Sequence, residues 1–176
     1  MSDKVISPET YIDSARINRE FKRFASSLSV ELKLSLNSIL AWAHLWRQGR
    51  LDYSATVQAV EEIEQNLKCQ SLLIEQLLSW RLTADKLEGV NCKPMIVAAV
   101  NQQFERDQYL QVKEFKFYLN RTLSLTQLWH QSQFSQSTTV EAFEAIEQNA
   151  KRQSRILEKL LNWSFSNLNL ASEIDS

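Results

Sequence analysis

Residues 21–80 recur as residues 104–163 without a gap. Residue i matches residue i+83 at 26 of 60 positions, among them Phe21/Phe104, Glu31/Glu114, Lys33/Lys116, Asn37/Asn120, Trp46/Trp129, Ile63/Ile146 and Trp80/Trp163. The run Glu64-Gln65-Asn66 returns as Glu147-Gln148-Asn149. A duplication of this kind restricts the fold to one that uses a single unit twice, and positions needed by that unit keep their character in both copies. Positions that differ are free to carry function.

The unit is helical. Two glycines and two prolines in 176 residues leave almost no punctuation for turns. Positions 60, 63, 67, 70, 74 and 77 read Val, Ile, Leu, Gln, Ile, Leu, and their counterparts from Phe143 to Leu160 read Phe, Ile, Ala, Gln, Leu, Leu. This alternating three-four spacing is a heptad seam. Phe21, Ala25, Leu28, Leu32, Ser35, Ile39, Trp42 and Trp46 form a similar stripe, matched more raggedly by Phe104, Gln108, Gln111, Phe115, Tyr118, Thr122, Leu125 and Trp129. The segment 112–117 also alternates as a short strand would, so its helical reading rests on the register with the first copy. Gln70 and Gln153 interrupt the seam at the same place, either as a buried polar layer or tilted out to solvent.

Turn signals separate the two helices of each copy, Gly49-Arg50-Leu51-Asp52 and Ser132-Gln133-Phe134-Ser135. Asp52 and Ser135 are equivalent, and both suit a helix N-cap; Thr138-x-x-Glu141 offers a capping box as well. Each copy is therefore a hairpin whose first helix extends about 45 Å at 1.5 Å per residue. Ser7-Pro8 predicts a helical lead-in with proline at its first position. The expected organisation is a lead-in over 1–18, hairpins over 19–83 and 97–168, a connector over 84–96 containing Gly89 and Pro94, and a tail over 169–176. About 13 connector residues can extend to ~40 Å, enough for one chain to close its own bundle. The fold class is all-α, two hairpins in a pseudo-twofold antiparallel four-helix bundle, as a monomer with an intrachain bundle or as a homodimer.

Composition removes several functions. With 44% hydrophobic and 23% charged residues and a net charge of −1, the chain offers no basic tract for nucleic acid. No apolar run approaches the ~18 residues of a membrane span, and the opening Met1-Ser2-Asp3-Lys4 starts no signal peptide, so a cytoplasmic location without membrane contact is expected. Cys69 and Cys92 have no metal-ligand spacing and are expected to stay reduced.

The run from Ser29-Val30-Glu31-Leu32 through Leu36-Asn37-Ser38-Ile39-Leu40, read together with the turn and second helix that follow it, resembles the dimerisation and histidine phosphotransfer domain of bacterial sensor histidine kinases. That family carries Ser-His-Glu-Leu-Arg-Thr-Pro-Leu-Asn-x-Ile-Leu in its first helix, where this chain reads Ser29-Val30-Glu31-Leu32-Lys33-Leu34-Ser35-Leu36-Asn37-Ser38-Ile39-Leu40. The Gly49–Asp52 turn and the second-helix run from Ile63 through Ile74 to Leu78 resemble the rest of the domain. The likeness covers nearly all of the first copy and, more weakly before Leu119, the second.

The departures bear on chemistry. The phosphoacceptor histidine is replaced by Val30 and by Lys113, neither of which can form a phosphoimidazole. Arg-Thr-Pro becomes Lys33-Leu34-Ser35 and Lys116-Phe117-Tyr118, without the proline kink. The acidic neighbour persists as Glu31 and Glu114, read as solvated charges. Gly49 and Gly89 lie too far apart to build a phosphate-cradling loop. No catalytic, cofactor or metal residue is therefore expected.

The resemblance implies a non-catalytic mimic that binds a two-component partner, a response regulator receiver domain or a histidine kinase. By position the binding residues would be Val30, Lys33, Leu34 and Asn37 in the first copy, with Lys113, Lys116 and Asn120 in the second; a solvated face is the alternative reading of the two matched lysines. A phosphotransferase using His44 or His130, which are not equivalent, and a scaffold joining partners through its tryptophans are the competing functions.

Overall fold

The computed structural model describes residues 8–87, 94–132 and 135–165, so Gly89, Cys92, Gln133, Phe134 and the 169–176 tail lie outside it. Four long helices carry the chain: α1 (Pro8–Arg47), α2 (Tyr53–Leu78), α3 (Pro94–Ser132) and α4 (Gln136–Leu161), with a 3₁₀ turn at Ala84–Leu87. There is no strand among the described residues, and 112–117 is helical. At 40 residues α1 spans about 60 Å, longer than the sequence suggested, because the lead-in is continuous with it. Likewise α3 starts at Pro94, inside the expected connector.

Helix ends follow local chemistry. Gly49 adopts φ +66°, the left-handed conformation that favours glycine. Its N–H bonds to the Trp46 carbonyl (2.9 Å) and the next, of Arg50, to that of Leu45 (3.2 Å), the paired closure that ends many helices at glycine. Asp52 then caps α2 by accepting from the Ala55 N–H at 2.8 Å, and its counterpart Ser135 caps α4 by accepting from Thr138 at 3.3 Å. The Thr138-x-x-Glu141 box does not cap α4, because Ser135 has already taken the N-cap position and leaves Thr138 in the first turn.

Each helix packs on the next in sequence, and α1 closes the ring against α4. Consecutive helices are antiparallel, and α1 stands diagonal to α3. The second-helix seams are buried throughout, from Val60 to Leu77 and from Phe143 to Leu160. Fully burying each large apolar side chain contributes roughly 1.5–3 kcal/mol relative to leaving it exposed.

The duplication is visible as pseudo-twofold layers. Phe21, Trp80, Phe104 and Trp163 form a four-ring cluster with all six centroid separations between 5.0 and 5.7 Å. In mid-bundle the two glutamines are buried, and Gln153 Nε2 donates to Gln70 Oε1 at 3.1 Å. Gln70 Nε2 donates in turn to Ser35 Oγ (3.1 Å), whose hydroxyl bonds the Asn66 carbonyl (3.0 Å). The seam interruption is thus a satisfied polar layer. Beyond it Trp46 stacks on Phe143 at 5.0 Å, and Tyr53 lies 6.4 Å from Trp129.

Candidate partner-binding faces

The helical register puts Val30 and Leu34, one turn apart, on the solvent side of α1, 58% and 63% exposed. The equivalent pair on α3 is Lys113 and Phe117, the latter 54% exposed. Val30 and Lys113 are therefore both on outward-facing surface. Glu31 and Glu114 beside them are exposed. α1 and α3 are continuous helix through Leu34 and Phe117.

Lys33 and Asn37 are also exposed, and Lys33 makes no ion pair among the described residues. Lys116 behaves differently. Its ammonium pairs with the Glu75 carboxylate, joining α3 to α2, so part of its charge serves the contact between hairpins. Lys113 and Asn120 remain exposed on α3. Because α1 and α3 are diagonal, the seven expected residues do not form one surface. They fall into two faces, Val30, Lys33, Leu34 and Asn37 on the first hairpin and Lys113, Lys116 and Asn120 on the second.

The histidines stand elsewhere. His44 is exposed, its Nε2 2.9 Å from Gln48 Nε2. His130 Nε2 lies 3.1 Å from Glu64 Oε2 and borders a cleft of about 950 Å³ at the hairpin-turn end, lined also by Trp46, Arg47, Tyr53, Thr56 and Trp129. Arg47 holds Glu147 at the same end. The Glu147 carboxyl is kept below the usual glutamate range by the hydrogen bond from Lys151 and by Arg47, which outweigh the opposing effect of burial. No group of three or more metal-ligating side chains occurs among the described residues, and Cys69 is a free, exposed thiol.

Two features escaped the sequence reading. Asn101 clamps the chain after α2, accepting from the Leu82 N–H (2.8 Å) and donating to the Leu82 carbonyl (3.1 Å). Its counterpart Asn18 does the same to Phe165, at 2.5 and 3.3 Å. Asn18 and Asn101 are themselves 83 residues apart, so the repeat extended three residues upstream would have found them. The second feature is a cation–aromatic row on the second hairpin: Arg121 lies 5.7 Å from the Phe117 centroid, Phe117 lies 5.2 Å from Tyr118, and Arg152 sits 5.2 Å over Tyr118 while bonding its hydroxyl at 2.8 Å. Its signal lay in differences between the copies rather than in their identities.

The helices and their contacts define an all-α four-helix bundle. No family model matches the chain, and comparisons with curated proteins and with solved structures give no match.

Proposed function

We propose that this chain is a non-catalytic mimic of the histidine kinase dimerisation bundle, which binds a receiver domain or a histidine kinase and regulates it. The observation that carries the reading is the Val30–Leu34 stripe. It stands where the resemblance puts the phosphoacceptor turn, its apolar side chains are exposed, and its helix keeps Glu31, Leu32, Lys33, Leu36, Asn37, Ile39 and Leu40 in family register. A surface of that shape without an imidazole holds a partner without reacting with it.

The test is binding of the purified chain to isolated receiver domains and to kinase bundles, with and without Leu34→Arg and Asn37→Arg. Both positions are exposed, so the double variant keeps its helicity, while an unpaired charge forced into an interface costs several kcal/mol of binding. Capture lost with helicity retained supports the role. Capture unchanged by the substitutions removes this surface. Incubation with labelled ATP is expected to leave the chain unlabelled, and acid-labile phosphate on His44 or His130 after exposure to a phosphorylated receiver would favour phosphotransfer instead.

A further inference from the structure

The two hairpins share a backbone plan but carry opposite outer faces. On the first hairpin, Val30, Leu34 and Ser38 follow one another at turn spacing along α1, and Cys69 and Leu72 lie on α2. None of the five is charged; Val30, Leu34 and Leu72 are 58%, 63% and 68% exposed. Asn66 fixes the level of the two helices by donating to Ser38 Oγ at 3.1 Å. The equivalent five positions on the second hairpin are Lys113, Phe117, Arg121, Arg152 and Arg155. Asn149 holds the same level there through Thr122 Oγ1, at 3.1 Å.

Four cations thus replace four neutral side chains at matched positions, around one exposed aromatic ring. None of the four makes an ion pair among the described residues. Arg121 and Arg152 are held over Phe117 and Tyr118, so they are presented with less rotamer freedom to lose on binding. The bundle core does not need this charge, since the first hairpin reaches the same packing without it.

We propose that the α3–α4 face is a docking surface for an acidic polypeptide segment that carries an apolar side chain among its carboxylates. The carboxylates complement Lys113, Arg121, Arg152 and Arg155, and the apolar group packs on Phe117. A nucleic-acid strand is a poorer complement. A phosphate backbone carries a charge at every nucleotide and so meets exposed Glu114 and Glu158 on the same two helices, whereas a peptide can set neutral or apolar side chains opposite them. This face is separate from the Val30–Leu34 stripe and does not depend on the role proposed above.

The test uses the full chain and a fluorescent peptide of about 20 residues, rich in Glu and Asp with interspersed Leu, read by anisotropy at low ionic strength where exposed charges are least screened. Arg152→Glu with Arg155→Glu is expected to weaken binding by about tenfold or more, and Lys113→Glu with Arg121→Glu similarly. Cys69→Glu with Leu72→Glu, the matched change on the first hairpin, is expected to leave it within about twofold. Circular dichroism checks that each variant is folded, and Arg155→Glu alone, whose arginine side chain makes no hydrogen bond or ion pair among the described residues, serves where a double variant unfolds. Absence of peptide binding overturns the proposal. So does equal weakening by the changes on both hairpins, or tighter binding of a single-stranded oligonucleotide of the same length.

Discussion

Arg47 on α1 grips the buried Glu147 carboxylate on α4, with Nη1 at 3.1 and 2.8 Å from its two oxygens. The pseudo-twofold counterpart of that pair is His130 with Glu64, at 3.1 Å. The two carboxylates are the same residue one repeat apart, but one bundle side meets its glutamate with a permanent cation, Arg47, and the other with an imidazole, His130.

Glu147→Gln should cost about 1–2 kcal/mol at neutral pH, since charge-assisted hydrogen bonds are the stronger kind and Arg47 is half exposed to water. The carboxyl is held below its ordinary value, first by Lys151 and then by Arg47, so the ionised form favours the folded state. That stabilisation is fully present above the unfolded glutamate pKa of about 4.3 and is lost as pH falls through the lower folded value. Urea midpoints of wild type and Glu147→Gln should therefore differ at pH 7 and converge in acid. A difference that stays constant down to acid unfolding contradicts the assignment.

The asparagine clamps predict local rather than global effects. Asn101→Ala removes both bonds to Leu82 and should speed amide exchange there and in the adjoining turn, at a cost of about 1–3 kcal/mol. Asn18→Ala should do the same at Phe165 and leave Leu82 protected. Hydrogen exchange by mass spectrometry separates the two. Equal deprotection of both segments by either substitution would show that the clamps are not independent.

The sequence carries much of this fold because heptad spacing, caps and the end tryptophans are local patterns written twice. Val60 to Leu77 is buried as its spacing requires, and Asp52 and Ser135 cap as their side chains allow. Spacing alone does not decide whether Gln70 points in or out, since that depends on finding Gln153 across the axis. Likewise Lys33 and Lys116 are identical letters with different fates, because the second meets Glu75 on a neighbouring helix. The candidate faces were legible as positions on α1 and α3. Their division into a neutral and a cationic side required α2 and α4 to be placed beside them.

The glutamine layer tests whether polar pairing sets the register between hairpins. Gln70→Leu leaves Gln153 Nε2 without its buried acceptor and should cost about 1–3 kcal/mol, while Ser35 Oγ loses the bond it accepts but still donates to the Asn66 carbonyl. The double change Gln70→Leu with Gln153→Leu should recover part of this, because replacing both partners by apolar groups removes the unmet demand. A double-mutant cycle from urea unfolding should give a coupling above about 0.5 kcal/mol. Strict additivity contradicts a direct bond between them.

The ring cluster is symmetric in its carbon atoms and asymmetric in its hydrogen bonds. Trp163 Nε1 donates to Asp107 Oδ2 at 2.9 Å, whereas buried Trp80 Nε1 has no hydrogen-bond partner among the described residues, and Phe24 occupies the position equivalent to Asp107. Asp107→Ala should leave the second indole in the condition of the first, at a cost of about 1 kcal/mol after allowance for the exposure of the carboxylate. Asp107→Asn retains an acceptor and should lose less. Thermal unfolding of the two variants gives the ordering, and indole N–H exchange read by NMR locates it: the Trp163 signal should exchange faster in Asp107→Ala while that of Trp80 is unchanged. Equal stability of the two variants with unaltered exchange at Trp163 would show that the bond contributes nothing to the closed end of the bundle.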